Sequence, residues 1–419
     1  MAKNLVSIPT LVQSPFIVVT IGGVTFGTYT GDTYQTNVTY PNFMKSMSVV
    51  KVNGTVNTYT LNFQYQVRTG DDPNLLDKIF SKATVDRQIT FQYGDWNAPA
   101  YIYKEEKAII TNVTSSLDMN NSMINYTVSA TSDAIGLSST LYSFPAREAK
   151  PSDVFLNLVS NSRYGLKKVF TGMRNTSNIL QNSLIASNDK KVKLLAQKDV
   201  SVLEYMNYLT DSMISTSNKE GSVIQNSKYY LTIHDDFTND VGGTYFQVSE
   251  VSKNTQTIKS TDTYEIDVNY PGDNFVTQFS LTNDQSWAIL YEFNEAVKQE
   301  QYSYKIRDDG SIETSYTPSM MKSDTTDALS PSKSSWWSRM TEFPIEATLT
   351  IKGLTRPSML MTYVKLNVLF AGGVKHISSG TYIITKQVDN IDSNGYTTTL
   401  TLLRIAGDSP SYQEPLLRA

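Results

Sequence analysis

Any chemistry this chain performs must come from a short roster of side chains. Histidine occurs twice and cysteine not at all, which excludes thiolate nucleophiles, disulfides and cysteine metal sites. His234 stands in Thr232-Ile233-His234-Asp235-Asp236-Phe237, residue types that suit a metal ion or a proton relay. Consecutive residues on a strand point to opposite faces, so this trio could converge only across a turn. His376, in Gly372-Gly373-Val374-Lys375-His376, has no ligand beside it. A strand-end histidine followed by a turn is the simpler reading. Neither position is a metal-site candidate.

Adjacent carboxylates occur as Asp71-Asp72, Glu105-Glu106, Asp235-Asp236 and Asp308-Asp309. Glycoside cleavage needs two carboxyls held roughly 5–9.5 Å apart across a sugar, and adjacency in sequence does not supply that. Asp71-Asp72-Pro73 and Asp308-Asp309-Gly310 are turn compositions. The sequence contains no Gly-rich phosphate loop ending in Lys-Ser or Lys-Thr and no Gly-x-Ser-x-Gly elbow. Gly22-Gly23 and Gly242-Gly243 read as hairpin turns instead. The expectation is a protein that is not an enzyme and needs no cofactor or catalytic metal. Trp336-Trp337 is the odd cluster, adjacent indoles in a Ser-rich polar stretch. Two readings stand: an anchor for a partner protein, or a pair packed back on its own domain.

The elements around these residues are mostly strands. Charged residues make up 18% of the 419 residues, with 26 Tyr against 16 Phe. Tyr and Thr fit pleated, half-buried surfaces, and Tyr suits surfaces buried on assembly. The net charge of −4 argues against a dedicated nucleic-acid binder. The N-terminus lacks a signal-peptide pattern, and no stretch approaches the ~18 apolar residues of a spanning helix.

Tyr59-Thr60-Leu61-Asn62-Phe63-Gln64-Tyr65-Gln66-Val67 alternates strictly after the Asn53-Gly54 turn, a strong hairpin signal. A helix follows Asp71-Asp72-Pro73, with Leu75, Leu76, Ile79 and Phe80 on one side. Residues 151–215 change period: Ser152 or Asp153 can cap one helix, and Asp199 or Ser201 another carrying Val202, Tyr205, Met206, Leu209 and Met213. This part buries little on its own. Strands return from 228. The stretch 300–340 has no period and reads as a loop.

A resemblance links the two ends. Ile109-Ile110-Thr111, a turn through Asp118-Met119-Asn120-Asn121 and Ile124-Asn125-Tyr126-Thr127-Val128 are matched by Ile383-Ile384-Thr385, a turn through Asp389 to Gly395 and Tyr396-Thr397-Thr398-Thr399-Leu400. Both read as hairpins, and two of them suggest two related β-domains.

Ser14-Pro15-Phe16-Ile17-Val18-Val19, Tyr40-Pro41-Asn42, Asn53 to Leu61, Phe91-Gln92-Tyr93-Gly94-Asp95 and Gly380-Thr381-Tyr382-Ile383-Ile384 resemble the baseplate hub proteins of tailed bacteriophages, which share a fold with the hub part of type VI secretion spike proteins. The resemblance runs from about residue 14 to 408. It implies a mainly β (α+β) chain: a tube-like β-barrel over 1–145, a small helix-containing domain over 146–227, a second barrel over 228–298 and 341–408, a loop insertion over 299–340 and a tail over 409–419. It further implies a homotrimer whose six barrels join a six-fold tail tube to a three-fold central spike, with other baseplate or tape-measure proteins as neighbours. DNA is then passing cargo, and the chain, made in the host cytoplasm, ends up in the virion tail. Trp336, Trp337, Tyr412, Leu416 and Leu417 are the candidate partner anchors, apolar groups in otherwise polar segments. The reading from another class is a carbohydrate-binding or carbohydrate-cleaving tail protein using Tyr and Trp platforms with a carboxylate pair.

Overall fold

The computed structural model describes residues 15–27, 43–86, 88–95, 106–160, 173–174, 180–181, 191–213, 223–224, 227–236, 243–252, 263–269, 276–283, 302–306, 312–316, 345–353, 360–370, 374–376 and 378–407. The first half supplies β1 (Pro15–Ile21), β2 (Val24–Gly27), β3 (Met44–Val52), β4 (Thr58–Gln66), α1 (Leu75–Asp86), β5 (Gln88–Asp95), β6 (Glu106–Asp118) and β7 (Met123–Ser132). A middle part contains α2 (Gly136–Ser139), β8 (Leu141–Phe144), β9 (Arg147–Ala149), α3 (Pro151–Ser160), β10 (Met173–Arg174), β11 (Leu180–Gln181), β12 (Val192–Leu194), β13 (Gln197–Ser201), α4 (Val202–Asp211), β14 (Val223–Ile224), β15 (Ser227–Asp236) and β16 (Gly243–Ser252). The last part runs through β17 (Thr263–Asn269), β18 (Val276–Asn283), β19 (Tyr302–Ile306), β20 (Ile312–Tyr316), β21 (Ile345–Lys352), β22 (Tyr363–Leu369), β23 (Gly380–Asp392) and β24 (Gly395–Gly407). The chain is mostly β.

Alternation makes the strands. In β4 the side chains of Tyr59, Leu61, Phe63 and Tyr65 are buried while Thr58 and Gln66 are exposed, as a period of two requires. Gly22 and Gly23, at φ of 57° and 81°, turn β1 into β2 through two left-handed positions that L side chains rarely adopt. Asp72 accepts from the Asn74 backbone N–H at 2.9 Å and pairs with Lys78, which nucleates α1. That helix lays Leu76, Ile79 and Phe80 into the core, with the Phe80 ring 5.3 Å from both Phe63 and Tyr126.

Thirteen strands form one sheet whose path carries the same five-strand unit twice. β3–β4–β7–β6–β5 corresponds to β18–β21–β24–β23–β22, and each of these pairings is antiparallel. Their registers coincide. Leu61 faces Met47 and Val128, as Leu349 faces Phe279 and Leu400. Ala108 faces Ile89 and Ser132, as Tyr382 faces Val364 and Arg404. The repeats differ further out: β1 lies antiparallel on β5, whereas β17 lies parallel on β22.

The two hairpins noted in the sequence share one irregularity, although the first has a four-residue tip and the second a two-residue one. Each long strand carries a bulge at the Thr of Ile-Ile-Thr, between Ile110 and Asn112 and between Ile384 and Lys386. Thr111 Oγ1 donates to the Ser129 carbonyl at 3.1 Å, and Thr385 Oγ1 to the Thr401 carbonyl at 3.3 Å. At the tips, Asp118 accepts from the Asn120 N–H and Asp392 from the Asn394 N–H. The turn in the second hairpin is only Ser393-Asn394; Asp389 to Asp392 continue the strand. This corrects the expected turn from Asp389, whose polar side chain reads as a turn residue but is held inside.

The helical part has a core of its own, contrary to the expectation that it buries little. Val154, Phe155 and Leu158 of α3 and Val202, Tyr205, Met206 and Leu209 of α4 pack with Tyr229, Leu231 and Ile233 of β15 and Phe246 and Val248 of β16. β15 and β16, which the sequence order grouped with the second barrel, bury these side chains among the helices. α3 begins at Pro151, so Ser152 and Asp153 sit in its first turn. Ser201 caps α4 in a reciprocal capping box with Glu204, each satisfying an otherwise unpaired terminal donor. The stretch read as a loop contains the antiparallel pair β19–β20, joined by β14. Tyr302-Ser303-Tyr304-Lys305-Ile306 is a short alternation of the kind that a polar, Ser-rich context conceals.

Candidate functional site at the junction of the repeats

The two repeats meet edge to edge. β3 pairs antiparallel with the C-terminal half of β23, from Val52 opposite Lys386 to Met47 opposite Ile391, and this makes one sheet of both. The tip of the second hairpin enters the first core, where Ile391 and Tyr396 are buried with Tyr93 and Met47. Gly353 is small for this reason: a Cβ there would lie 2.1 Å from the Tyr396 ring, whose backbone carbonyl accepts from the Gly353 N–H at 2.7 Å.

A polar cluster is sealed in that junction. On β3 the inward positions are Met47, Val49 and Lys51, and Lys51 is only 1% exposed. It lies opposite Gln387, and its ammonium donates to the Tyr93 hydroxyl at 3.3 Å. The Asp389 carboxylate is 1% exposed and accepts from Thr398 Oγ1 at 2.6 Å, Gln387 Nε2 at 2.8 Å and the Tyr396 hydroxyl at 3.1 Å. Burial pushes the Asp389 pKa up to about 6; the Lys51 charge and then the Thr398, Gln387 and Tyr396 hydrogen bonds oppose it. A buried charge costs free energy unless charge and hydrogen bonds compensate. Sealed from solvent, this cluster can fix register and cannot reach a substrate.

The β3–β4 connection ties in the helical part. Gly54, at φ 70°, donates its N–H to the Leu231 carbonyl at 2.7 Å and accepts at its own carbonyl from Asn207 Nδ2 at 2.8 Å. Asn53 donates its N–H to the Thr385 carbonyl. One short loop therefore ties both repeats to the helical part.

Some of the residues singled out for chemistry have structural partners. Asp71 and Asp72 hold the turn before α1, accepting from the Arg68 and Asn74 N–H groups. His234 and Asp235 are consecutive on β15, opposite Tyr245 and Thr244. His376 shares a hydrogen bond with Ser378 at 2.7 Å and sets its ring against Phe370. Among the described residues no three His, Asp or Glu side chains gather as metal ligands, and no helix is long and apolar enough to cross a membrane. Trp336, Trp337, Tyr412, Leu416 and Leu417 lie outside the described residues, as do Asp308 and Asp309. Sequence reasoning missed Lys51 and Asp389. The signal for Lys51 was present, since it continues the inward alternation of Met47 and Val49.

No family model matches the chain, and no curated protein does. Solved structures similar to this chain are tail proteins and a secretion component. A tail protein from Neisseria meningitidis is 8% identical, with 93% of this chain and 96% of that one covered at a TM-score of 0.49. The 43 kDa tail protein of prophage MuSo2 from Shewanella oneidensis is 14% identical, covering 94% and 100% at a TM-score of 0.48. A type VI secretion component of Escherichia coli is 8% identical, covering 88% and 76% at 0.44. Each is spanned along most of its length.

Proposed function

We propose that this chain is a structural hub at the tip of a phage tail, a trimeric adapter between the six-fold tail tube and a three-fold central spike. The observation that carries the reading is the five-strand unit present twice in one sheet with matching register. A chain with two like units can fill two of six equivalent places, so three copies offer six-fold quasi-symmetry on one side and true three-fold symmetry on the other. The resemblance of the sequence to baseplate hub proteins points the same way. The chain performs no catalysis in this reading; its work is to match symmetries, present strand edges and line a passage for DNA. That bore is expected to be polar to acidic, because arrays of Lys and Arg would hold phosphates through counterion release.

Electron microscopy of the assembled tail tip tests the proposal. Three copies around an open axis, between tube and spike, are expected, with interfaces on the order of 2,000 Å² each. Six copies, or no axial opening, would overturn it.

A further inference from the structure

The internal repeat assigns a partner to two strand edges. In the second repeat the edge of β23 is fully used: Tyr363 to Leu366 pair with its first part, and β3 pairs with Lys386 to Ile391. In the first repeat, β5 pairs with the equivalent first part of β6, from Glu106 to Ile109. Along the equivalent second part, Asn112 to Leu117, no described strand pairs on that side. Nor does a described strand pair with the outer edge of β18, the counterpart of β3, whose single ladder is to β21. One edge and the strand that would fill it are thus both present, one in each repeat.

Burial follows the same division. Ile391 is 2% exposed, whereas its equivalent Leu117 is 66% exposed. Val49 is fully buried where β23 covers β3, and its equivalent on β18, Leu281, is 38% exposed. Asn112, Thr114, Ser115 and Ser116 are all exposed. A row of backbone donors and acceptors beside open apolar side chains is a template for strand addition.

We propose, resting on the assembly of several copies argued above, that β18 of a second copy adds antiparallel to β6 along this edge. Carrying the β3–β23 register through the repeat gives the pairing: Val113 opposite Asn283, Thr114 opposite Thr282, Ser115 opposite Leu281, Ser116 opposite Ser280 and Leu117 opposite Phe279. Leu117 then occupies the place Ile391 holds inside the chain. Because edge and strand are different surfaces, the contact is head-to-tail and closes only in a ring. The sheet would run unbroken around that ring, alternating a junction within a chain and a junction between chains.

Cross-linking tests the register. The chain has no cysteine, so Ser116→Cys with Ser280→Cys in the full-length protein introduces the only thiols. Oxidation is carried out at a concentration where light scattering shows more than one copy per particle, with Ser48→Cys plus Asn390→Cys as the intrachain counterpart. The first variant should yield covalent oligomers between chains, each single variant none, and the counterpart an internal bond only. Leu117→Asp, at an exposed position, should leave the urea midpoint unchanged and weaken self-association on the order of tenfold or more, as loss of one fully buried leucine implies.

Particles that associate without the interchain bond, while the counterpart closes, would remove the edge and leave the hub reading standing. A chain that stays monomeric to its solubility limit would remove the edge as well. The bond formed in a closed ring of other than three copies would confirm the edge and overturn the trimeric adapter.

Discussion

Replacing Asp389 separates the charge of the junction from its shape. Asp389→Ala leaves the Thr398 and Tyr396 hydroxyls and the Gln387 amide without their acceptor, and strands the buried Lys51 charge. Each orphaned buried donor costs about 1–3 kcal/mol, and breaking a buried charge pair about 3–5 kcal/mol. The groups share one site, so the losses overlap, and about 3–5 kcal/mol in total is expected. Asp389→Asn keeps one oxygen for Thr398 and Tyr396 and should cost less. Neither variant titrates at this position, so pH separates both from wild type. The folded-state pKa of about 6 lies above the ordinary value of 3.8, so the folded protein holds an extra proton between them. Stability from this group is therefore greatest below about pH 4, falls as pH rises towards 6, and is flat above. At about 1.36 kcal/mol for each unit of pKa difference, the fall is about 3 kcal/mol. Urea unfolding at intervals between pH 4 and 7 reads it directly. The amide of Asp389→Asn does not titrate, so wild-type stability should fall relative to that variant by about 3 kcal/mol as pH rises through that window. A constant difference, or an alanine variant within about 1 kcal/mol of wild type, would refute this account of the cluster.

Gly353→Ala should destabilise by about 1–3 kcal/mol, since its Cβ would lie 2.1 Å from the Tyr396 ring in a packed junction; a thermal melt showing no change would place that ring elsewhere. Thr111→Val and Thr385→Val each remove the hydroxyl that bridges a bulge, and each should cost about 0.5–1.5 kcal/mol by urea titration; an effect at one site alone would show that the bulges are not equivalent. Ser201→Ala should cost about 1 kcal/mol by removing the α4 cap, read as a lower denaturation midpoint. Trp336→Ala with Trp337→Ala should impair assembly and leave the isolated chain folded by circular dichroism; loss of fold would assign the pair to a core.

The sequence disclosed local pattern far better than partnership. β4 and α1 were legible because their apolar spacing is unbroken, from Tyr59 to Tyr65 and from Leu75 to Phe80. The paired hairpins were legible because Ile-Ile-Thr and the Asn/Asp tips survive in both copies. Each motif has a mechanical cause, a bulge closed by a threonine hydroxyl and a tip held by an aspartate. The remainder was hidden where tertiary context overrides composition. Asp389 has a turn residue's side chain yet is a strand interior, because the neighbouring repeat supplies the strand that covers it. β15 and β16 alternate like any barrel strands, and nothing local says that the face they bury meets α3 and α4. The candidate site was illegible for the same reason: Lys51 and Asp389 are far apart in sequence, and only the β3–β23 register brings their strands together.

Divergence between the repeats is where their different work becomes visible. Equivalent positions are filled alike where both copies need the same local geometry: Thr111 and Thr385 at the bulges, Asp118 and Asp392 at the tips, Leu61 and Leu349 in the cores. They are filled differently along the second half of the long strand, where Val113, Ser115 and Leu117 stand in place of Gln387, Asp389 and Ile391. Inside the chain that edge receives β3, with Lys51 opposite Gln387 and the buried Asp389 opposite Val49. Ser115 and Val113 have no charge to answer, and the β18 counterpart of Lys51 is the neutral Asn283. Neither the second part of β6 nor β18 carries a charged residue at these positions. An edge meant to stay permanently closed can carry buried charged groups that fix register at a cost in stability. One that must remain soluble until another chain arrives is better made of serine, threonine and a single leucine, with nothing charged to strand.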